Sequence, residues 1–268
     1  YRRQRQMCIR DSCMDDIAEF PSSKSSPVYC EQLVNWEIGL MKHADIVLCS
    51  SAYLKEKVIS RSGIDRDIHV INNAISLPRI ASFDSYPSKV QEAINLLKLP
   101  KCSLLYIGTI SQWFDFKLIC EALDKNKDVQ LVLVGPKDCE IPSHKQLHYI
   151  GSVERQYIYS LMEQASALVM PFIVNELIRS VNPVKMYEYI YMEKPIIAPH
   201  YGEMEKFLPY VNLYHSNEEF MSLVTQLCEG ELQITTEKGK EMKAFAEKNT
   251  WESRYEEVKK LLFKEYLI

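Results

Sequence analysis

The chain has 268 residues, 47% hydrophobic and 25% charged, an ordinary globular composition that excludes an intrinsically disordered protein. Its 32 basic and 36 acidic residues give a formal net charge of −4, which argues against a general nucleic-acid-binding protein. A local basic pocket is compatible with this charge. The eight glycines are never spaced as G-x-G-x-x-G or G-x-x-x-x-G-K, which excludes dinucleotide-binding and Walker-type phosphate loops.

The first twelve residues, YRRQRQMCIRDS, are strongly basic and show neither helical nor strand periodicity. They resemble translated sequencing-adapter sequence, and we therefore expect residues 1–12 to be a non-native tail. The alternative is a native, solvated basic tail. Both interpretations predict that this segment packs on nothing, and the first also predicts that the true N-terminus is missing.

Two strand and helix repeats follow. The patterns predict helices over 29–42 and 52–60 and buried strands over 45–49 and 68–71. Residues 77–88 contain two prolines and no clean period, which indicates a linker.

The same alternation then restarts and continues to residue 199. We expect strands over 103–108, 129–135, 147–151, 166–172 and 195–199, and helices over 90–97, 114–123, 155–164 and 184–191. These strands are apolar at consecutive positions, which is typical of parallel strands buried on both faces. The predicted fold class is therefore α/β, with doubly wound parallel sheets in two Rossmann-like domains, the first of them incomplete.

The end of the chain predicts an amphipathic helix over 250–268, with Trp251, Tyr255 and Val258 on the face that docks on the protein. Eight cysteines never form C-x-x-C and favour buried, reduced thiols. No apolar run reaches the length of a membrane span. We expect a cytoplasmic protein, with peripheral association at the inner face of the membrane compatible with this.

Residues 171–199, PFIVNELIRSVNPVKMYEYIYMEKPIIAP, hold the most informative pattern. A strand ends at Phe172, a loop follows, and a helix begins just after Pro183. A helix N-terminus at the carboxyl edge of a parallel sheet binds anions, and Arg179 and Lys185 add positive charge there. Glu188 lies on the same helix face as Lys185 and suits the two hydroxyls of a ribose.

Phosphate and ribose together indicate a nucleotide. The alternative for Lys185 and Glu188 is a surface ion pair at i,i+3, worth a few tenths of a kcal/mol. Gly108, Gly135 and Gly151 follow predicted strands at the same edge, where they would let a ligand approach the backbone or simply serve as turn residues.

The segment PVKMYEYIYMEKPIIA resembles the P-x-K-x-x-E-Y donor-binding segment of family 4 glycosyltransferases. Three further segments resemble the same family in the same order: ADIVLCSSAYLKEKV with VINNAI, LLYIGTISQWFDFKLICEAL, and LHYIGSVERQYIYSLMEQASALVMPF. The resemblance covers the chain from about residue 13 to the end. Its nearest subgroup is linked to bacterial surface-polysaccharide biosynthesis.

This resemblance implies a B-type fold and a retaining, metal-independent hexosyltransferase that needs no cofactor. Its substrates would be a nucleotide-diphosphate-sugar donor and a polysaccharide or lipid-linked acceptor. The implied donor-binding residues are Gly108, Arg179, Asn182, Val184, Lys185 and Glu188. Glu188 would bind the ribose, and Arg179 and Lys185 would neutralise the diphosphate as it leaves.

The sequence also departs from the family. Ser180 stands where the family has a second glutamate, which leaves Glu176, further upstream, as the catalytic candidate. No Arg and Lys pair follows the strand that ends near Gly108. A Y-x-x-M-D-D-like segment of the subgroup makes Asp15 or Asp16 a catalytic candidate. A helix N-cap is the alternative for Asp16. The six histidines show no metal-ligand spacing, and no metal site is expected.

The expected organisation is part of an acceptor domain over 13–85, a donor domain over 86–245 and a closing helix over 246–268. As given, the chain is expected to bind a nucleotide-sugar but to transfer sugar poorly. The alternative functions are a nucleotide-sugar epimerase and a non-catalytic nucleotide-sugar-binding module, and the departures from the family favour the latter.

Overall fold

The computed structural model describes residues 10–64, 68–78, 85–99 and 101–264. From the first of these, the chain forms strand β1 (Arg10–Cys13), a 3-10 turn (Ile17–Glu19), helices α1 (Pro21–Lys24) and α2 (Pro27–His43), strand β2 (Ile46–Cys49), helix α3 (Ala52–Ser62), strand β3 (Ile68–Val70) and helix α4 (Ser88–Lys98).

The middle of the chain alternates between strands and helices, as the apolar periodicity predicts. It forms β4 (Cys102–Ile107), α5 (Phe116–Lys125), β5 (Val129–Val134), β6 (Leu147–Gly151), α6 (Arg155–Gln164), β7 (Ala167–Val169), α7 (Glu176–Ser180), α8 (Val184–Tyr191) and β8 (Ile196–Pro199).

The last described stretch is mainly helical. It comprises a 3-10 helix (Gly202–Phe207), strand β9 (Asn212–Tyr214), and helices α9 (Asn217–Glu229), α10 (Thr236–Lys248) and α11 (Trp251–Lys264). Within the described ranges, no helix is both long and apolar enough to cross a membrane.

The chain divides into two compact units. The first consists of Tyr1–Ala74, Val174–Pro183 and Trp251–Ile268, and the second of Ile75–Ile173 and Val184–Thr250. The domains predicted over 13–85, 86–245 and 246–268 are continuous stretches of the chain. That division stays a prediction.

The first unit contains a three-stranded parallel sheet in the order β1-β2-β3. A cluster of buried apolar side chains covers it: Cys13, Met41, Ala44, Val47, Cys49, Leu54, Val58 and Ile68. Helix α3 begins at a standard cap, in which the Ser51 hydroxyl accepts a hydrogen bond from the Leu54 N–H at 3.0 Å.

The second unit contains a six-stranded parallel sheet in the order β6-β5-β4-β7-β8-β9. Every residue of β4 is buried, and so are all residues of β5 except Gln130, as expected of strands covered by helices on both faces. The chain runs outward from β4 to β6 and then returns to β7 on the other side of β4. This change of direction at the β4/β7 junction is the point where open α/β sheets bind ligands.

The α/β class and the parallel sheets are confirmed, but three local predictions are wrong. The sequence predicts that the first twelve residues pack on nothing, but the last three of them form part of strand β1. Arg10, Asp11 and Ser12 pair in parallel with residues of β2, namely Ile46, Val47 and Leu48. The adapter origin of the first residues stays a prediction, and residues 1–9 lie outside the described ranges. Much of the predicted 77–88 linker, residues 79–84, lies outside them too.

The second correction concerns 173–183, predicted to be a loop, in which Glu176–Ser180 form a short helix capped by Asn175. The third concerns α11. Its predicted apolar face is only partly covered, since Trp251 and Tyr255 are exposed. Seven described cysteines are free thiols, as predicted, but only Cys13, Cys49 and Cys102 are buried.

Candidate functional site

Helix α8 positions the central residues of the predicted site, in the second unit. Its buried face consists of Met186, Tyr187, Tyr189 and Ile190. The fully buried Tyr189 hydroxyl accepts a hydrogen bond from the N–H of Ile107, the last residue of β4, at 3.0 Å. Because Lys185 and Glu188 are three residues apart, they share the other face of the helix, where both are half-buried.

Lys185 lies directly over the backbone of Gly108, which follows β4. The φ angle of Gly108 is +152°, a value that residues with a side chain rarely adopt. A Cβ atom there would also collide with Cε and Nζ of Lys185. Gly135, at the end of β5, has a φ of +139°, and a Cβ there would collide with the carbonyl oxygen of Gly108. Glycine at position 108 therefore leaves room for the lysine, and glycine at position 135 lets the backbone of Gly108 approach the end of β5.

The Lys185 ammonium group makes no hydrogen bond or ion pair within the described part of the chain. Burial lowers the pKa of Lys185, and the nearby charge of Glu188 opposes this effect. A partly desolvated cation without a partner is costly for the fold and is typical of a site that receives an anion.

A cavity of about 280 Å³ opens at the carboxyl ends of β4, β5 and β6. Its lining residues are Ile107, Gly108, Val134, Gly135, Pro136, Ser152, Val153, Arg155, Ile158, Tyr159, Lys185 and Glu188. The cavity is thus lined by the cations Lys185 and Arg155, one carboxylate and several apolar side chains, the mixture expected of a pocket for a small polar ligand.

Glu188 is the only acidic residue in this lining, and its side chain is 17% exposed. Its Oε1 atom lies 3.4 Å from Nη2 of Arg155 and 3.4 Å from the Tyr159 hydroxyl. Burial raises the pKa of Glu188, while the charges of Arg155 and Lys185 and the Tyr159 hydrogen bond act in the opposite direction. Among the described residues, none donates a hydrogen bond to Oε2.

The structure therefore brings together Gly108, Lys185 and Glu188, and it places Val184 beside them as the exposed first residue of α8. The other predicted site residues, Glu176, Arg179 and Asn182, belong to the first unit. Their roles stay predictions, and their surroundings are described within that unit.

Glu176 and Asn182 each have partners in the first unit. Glu176 Oε2 accepts a hydrogen bond from the Tyr53 hydroxyl at 2.8 Å and pairs with Lys57 at 3.1 Å. Asn182 is buried, and its Oδ1 accepts the Asn73 N–H at 2.9 Å, so its amide is used to hold the backbone. Arg179 is exposed on α7.

Ser180, which stands in the position of a family glutamate, is also buried in the first unit. Its hydroxyl donates to the Leu177 carbonyl at 2.6 Å, and its own carbonyl accepts from the Ser51 hydroxyl at 2.6 Å. Both interactions are structural. The position therefore holds no group that could contact a sugar as a carboxylate would.

Asp16 is fully buried and fully paired. Its carboxylate binds Lys57 Nζ at 2.9 Å and Arg61 through Nη1 at 2.8 Å and Nη2 at 2.9 Å. Burial alone would raise the pKa of Asp16, but the hydrogen bonds and charges of Arg61 and Lys57 outweigh it and lower the pKa. Asp16 occupies the N-cap position of a 3-10 turn without capping it by its side chain.

These contacts give Asp16 a structural role, and its catalytic role stays a prediction. The neighbouring Asp15 is half-buried, and burial raises its pKa.

Sequence reasoning missed Arg155 and Tyr159, the two partners of Glu188. Both lie in the first two turns of α6, shortly after β6 ends at Gly151. The rule that ligands bind at the carboxyl edge of a parallel sheet could have drawn attention to them, because this helix starts at the same edge as α8. Within the described ranges, no group of three or more His, Cys, Asp or Glu side chains could hold a metal ion.

No protein-family model matches the chain. Among curated proteins, it is similar to the "Putative teichuronic acid biosynthesis glycosyltransferase TuaH" of Bacillus subtilis (strain 168), with 24% identity over 238 residues. That similarity covers 84% of this chain, and it spans only 58% of the relative.

Several solved structures have the same fold. Anabaena HepE in complex with UDP-glucose matches with a TM-score of 0.68 and 13% identity, over 97% of this chain and 72% of that one. Sucrose-phosphate synthase of Thermosynechococcus elongatus matches with a TM-score of 0.65 and 16% identity, over 88% of this chain and 62% of that one. The lipopolysaccharide outer core galactosyltransferase WaaB matches with a TM-score of 0.59 and 15% identity, over 84% of this chain and 64% of that one.

These similarities agree with the fold class predicted from the sequence. The chain has the two Rossmann-like units of the B-type glycosyltransferase fold, and its sequence is similar to a protein named for teichuronic acid biosynthesis.

Proposed function

We propose that this chain binds a nucleotide-diphosphate-sugar and belongs to a glycosyltransferase that passes the sugar to a polysaccharide or lipid-linked acceptor. The observation that carries the proposal is the Lys185 ammonium group, which is half-buried, has no partner within the described residues and lines the same cavity as Glu188. A diphosphate supplies the missing negative charge, and a ribose supplies hydroxyl donors for the carboxylate.

In this proposal the charges of the site act on the leaving group. Negative charge accumulates on the diphosphate as the bond to the sugar breaks, and a cation that is already in place stabilises that charge without having to reorganise. Lys185 has this function, and Arg179 is proposed as a second cation that neutralises the diphosphate. Glu188 accepts the ribose hydroxyls and so fixes the nucleotide in one orientation.

The proposal includes a retaining, metal-independent mechanism and a hexose as the transferred sugar. The resemblance of PVKMYEYIYMEKPIIA to the donor-binding segment of family 4 supports these details. The position of Lys185 supports the metal-independent mechanism alone, because it provides a positive charge where other enzymes use a divalent ion. HepE was solved with UDP-glucose, so UDP-sugars are the first donors to test.

Calorimetric titration tests the proposal. We expect the chain to bind either UDP or GDP and the corresponding sugar nucleotide. Lys185→Ala should weaken diphosphate binding at least tenfold, because a charge-assisted hydrogen bond is lost. Lys240→Ala removes the same charge from an exposed position of the same unit and should leave binding unchanged. Failure of the wild-type chain to bind any of these nucleotides would refute the proposal.

A second candidate is a binding module that retains the nucleotide-sugar but no longer transfers sugar. The burial of Ser180 and the pairing of Glu176 with Tyr53 and Lys57 favour it, because neither residue offers a free carboxylate. Assays of sugar transfer separate the two candidates. Nucleotide binding without transfer to any saccharide or lipid-linked acceptor favours the module, and interconversion of the bound sugar would indicate an epimerase.

A further inference from the structure

Glu188 needs a fixed orientation if it is to recognise a ribose, and its neighbours decide that orientation. One of its oxygen atoms, Oε1, has two donors, Arg155 and Tyr159, each at 3.4 Å. The other, Oε2, receives no hydrogen bond from the described residues. The carboxylate therefore has one oxygen held by the protein and one left for a ligand.

The two donors differ in how firmly they are held. Arg155 has a side chain that is 70% exposed, and an exposed ion pair of this kind contributes little because the side chain is free to move. Tyr159 is 6% exposed, and it is followed on α6 by the buried residues Ser160, Leu161 and Met162. Its hydroxyl is therefore the donor with a fixed position.

Tyr159 also remains a donor over the whole physiological range. Burial, and then the charge of Glu188, raise the pKa of its phenol far above neutrality, so the hydroxyl keeps its proton. A phenol that cannot ionise beside a carboxylate can only donate to it. At 3.4 Å, this hydrogen bond lies at the long end of the range of hydrogen-bond distances.

We propose that Tyr159 is a positioning residue that holds Oε1 of Glu188, so that Oε2 faces the ribose hydroxyls of the nucleotide. This inference rests on the proposed function and assigns to it a residue outside the PVKMYEYIY segment. Tyr159 does not touch the reacting atoms. It acts through Glu188 and, through the ribose, on how tightly and in which orientation the nucleotide is held.

The test uses ligands with and without ribose hydroxyls. UDP, GDP and their 2′,3′-dideoxy counterparts are titrated into the wild-type chain and into Tyr159→Phe, which keeps the ring and removes only the hydroxyl. We expect Tyr159→Phe to weaken binding of the ribonucleotide about five- to tenfold, and binding of the dideoxy analogue by less than twofold. Tyr157→Phe is the matched control on the same helix, with its ring 6.1 Å from that of Tyr86, and should bind like the wild type.

A second readout follows the pH dependence of binding. The charged or titratable groups that face Glu188 are Arg155 and Tyr159 from α6 and Lys185 from α8. Without the Tyr159 hydroxyl, the pKa of Glu188 rises further, so ribonucleotide binding should be lost at a higher pH as the solution is acidified. Tyr157→Phe should keep the wild-type profile.

Two results would overturn the inference alone: wild-type affinity of Tyr159→Phe for the ribonucleotide, or an equal loss for both ligands, which would mean a general packing defect. If the wild-type chain binds neither UDP nor GDP, the proposed function fails and this inference fails with it. Thermal unfolding of each variant, measured beside the titrations, identifies a loss that comes from unfolding.

Discussion

Two clusters of charge, one in each unit, use similar residues for different purposes. In the first unit, the fully buried carboxylate of Asp16 meets Lys57 and Arg61, and each cation also reaches at least one further carboxylate. Around Lys185 in the second unit, the cation has no partner among the described residues, and Glu188 has donors on one oxygen only.

The pKa shifts have opposite signs in the two clusters. Hydrogen bonds to Asp16 and Glu176 outweigh burial and raise the pKa of Lys57, whereas burial lowers that of Lys185. In the same way the pKa of Asp16 is lowered and that of Glu188 is raised. Charges that satisfy each other stabilise a fold, and charges held apart from their partners mark a ligand site. The comparison thus separates structural from functional residues of the same type.

The largest effect is expected from Asp16→Asn. It keeps the shape of the side chain and removes the charge that Lys57 and Arg61 share, so the free energy of unfolding should fall by about 3 kcal/mol at pH 7. Urea unfolding of the variant and the wild type measures the difference. Asp15→Asn, next to it, is the control and should change stability by less than about 1 kcal/mol.

The difference in stability between Asp16→Asn and the wild type should also depend on pH. Because the folded-state pKa of Asp16 is lowered, its stabilising contribution is complete above the unfolded value of about 4 and is lost as the pH falls through the folded pKa. The difference between Asp16→Asn and the wild type should therefore be constant from pH 5 to 7 and shrink below about pH 4. A difference that persists unchanged at pH 3 would contradict the ionic role of Asp16.

An intermediate effect is expected from Gly108→Ala. The φ of +152° and the collision with Lys185 should cost about 2 kcal/mol of stability and displace the lysine from the cavity. Nucleotide binding should then fall about as far as in Lys185→Ala. Gly202→Ala, where a Cβ meets nothing within 4 Å, is the control. Full nucleotide affinity in Gly108→Ala would show that Lys185 does not need to lie over the backbone of residue 108 in order to bind the nucleotide.

The smallest effect on stability is expected from Glu188→Gln, and it sharpens the comparison with Asp16→Asn. Since the folded-state pKa of Glu188 is raised, its ionisation costs stability above that pKa, and the substitution removes this cost. We expect stability to be unchanged or higher by up to about 1 kcal/mol at pH 7, while ribonucleotide affinity falls. A loss of stability like that of Asp16→Asn would mean that Glu188, like Asp16, stabilises the fold.

Much of this architecture could be predicted from sequence because the signals are local. The continuous apolar runs of β4 and β5 identify buried parallel strands, and both α6 and α8 begin and end where their periodicity indicates. Lys185 and Glu188 were found because one helical turn brings them to the same face.

The remainder depends on contacts that no local pattern reveals. The polar strand β1 forms only by pairing with the distant β2, and α7 is too short for a periodic signal. Likewise Glu176 and Asn182 look like neighbours of Lys185 in the sequence, yet their partners are Tyr53, Lys57 and Asn73 of the other unit. The partners of Glu188 on α6, Arg155 and Tyr159, lie 33 and 29 residues earlier in the chain.

The hydrogen bond from the Ile107 N–H to Tyr189 has one further consequence. It ties the first turns of α8 to the end of a fully buried strand, so the position of Lys185 is set by the core of the unit. A ligand that enters such a cavity does not have to order the helix that carries the lysine, so less conformational entropy is lost on binding. Affinity for even a small anion can then come from a single, well-placed positive charge.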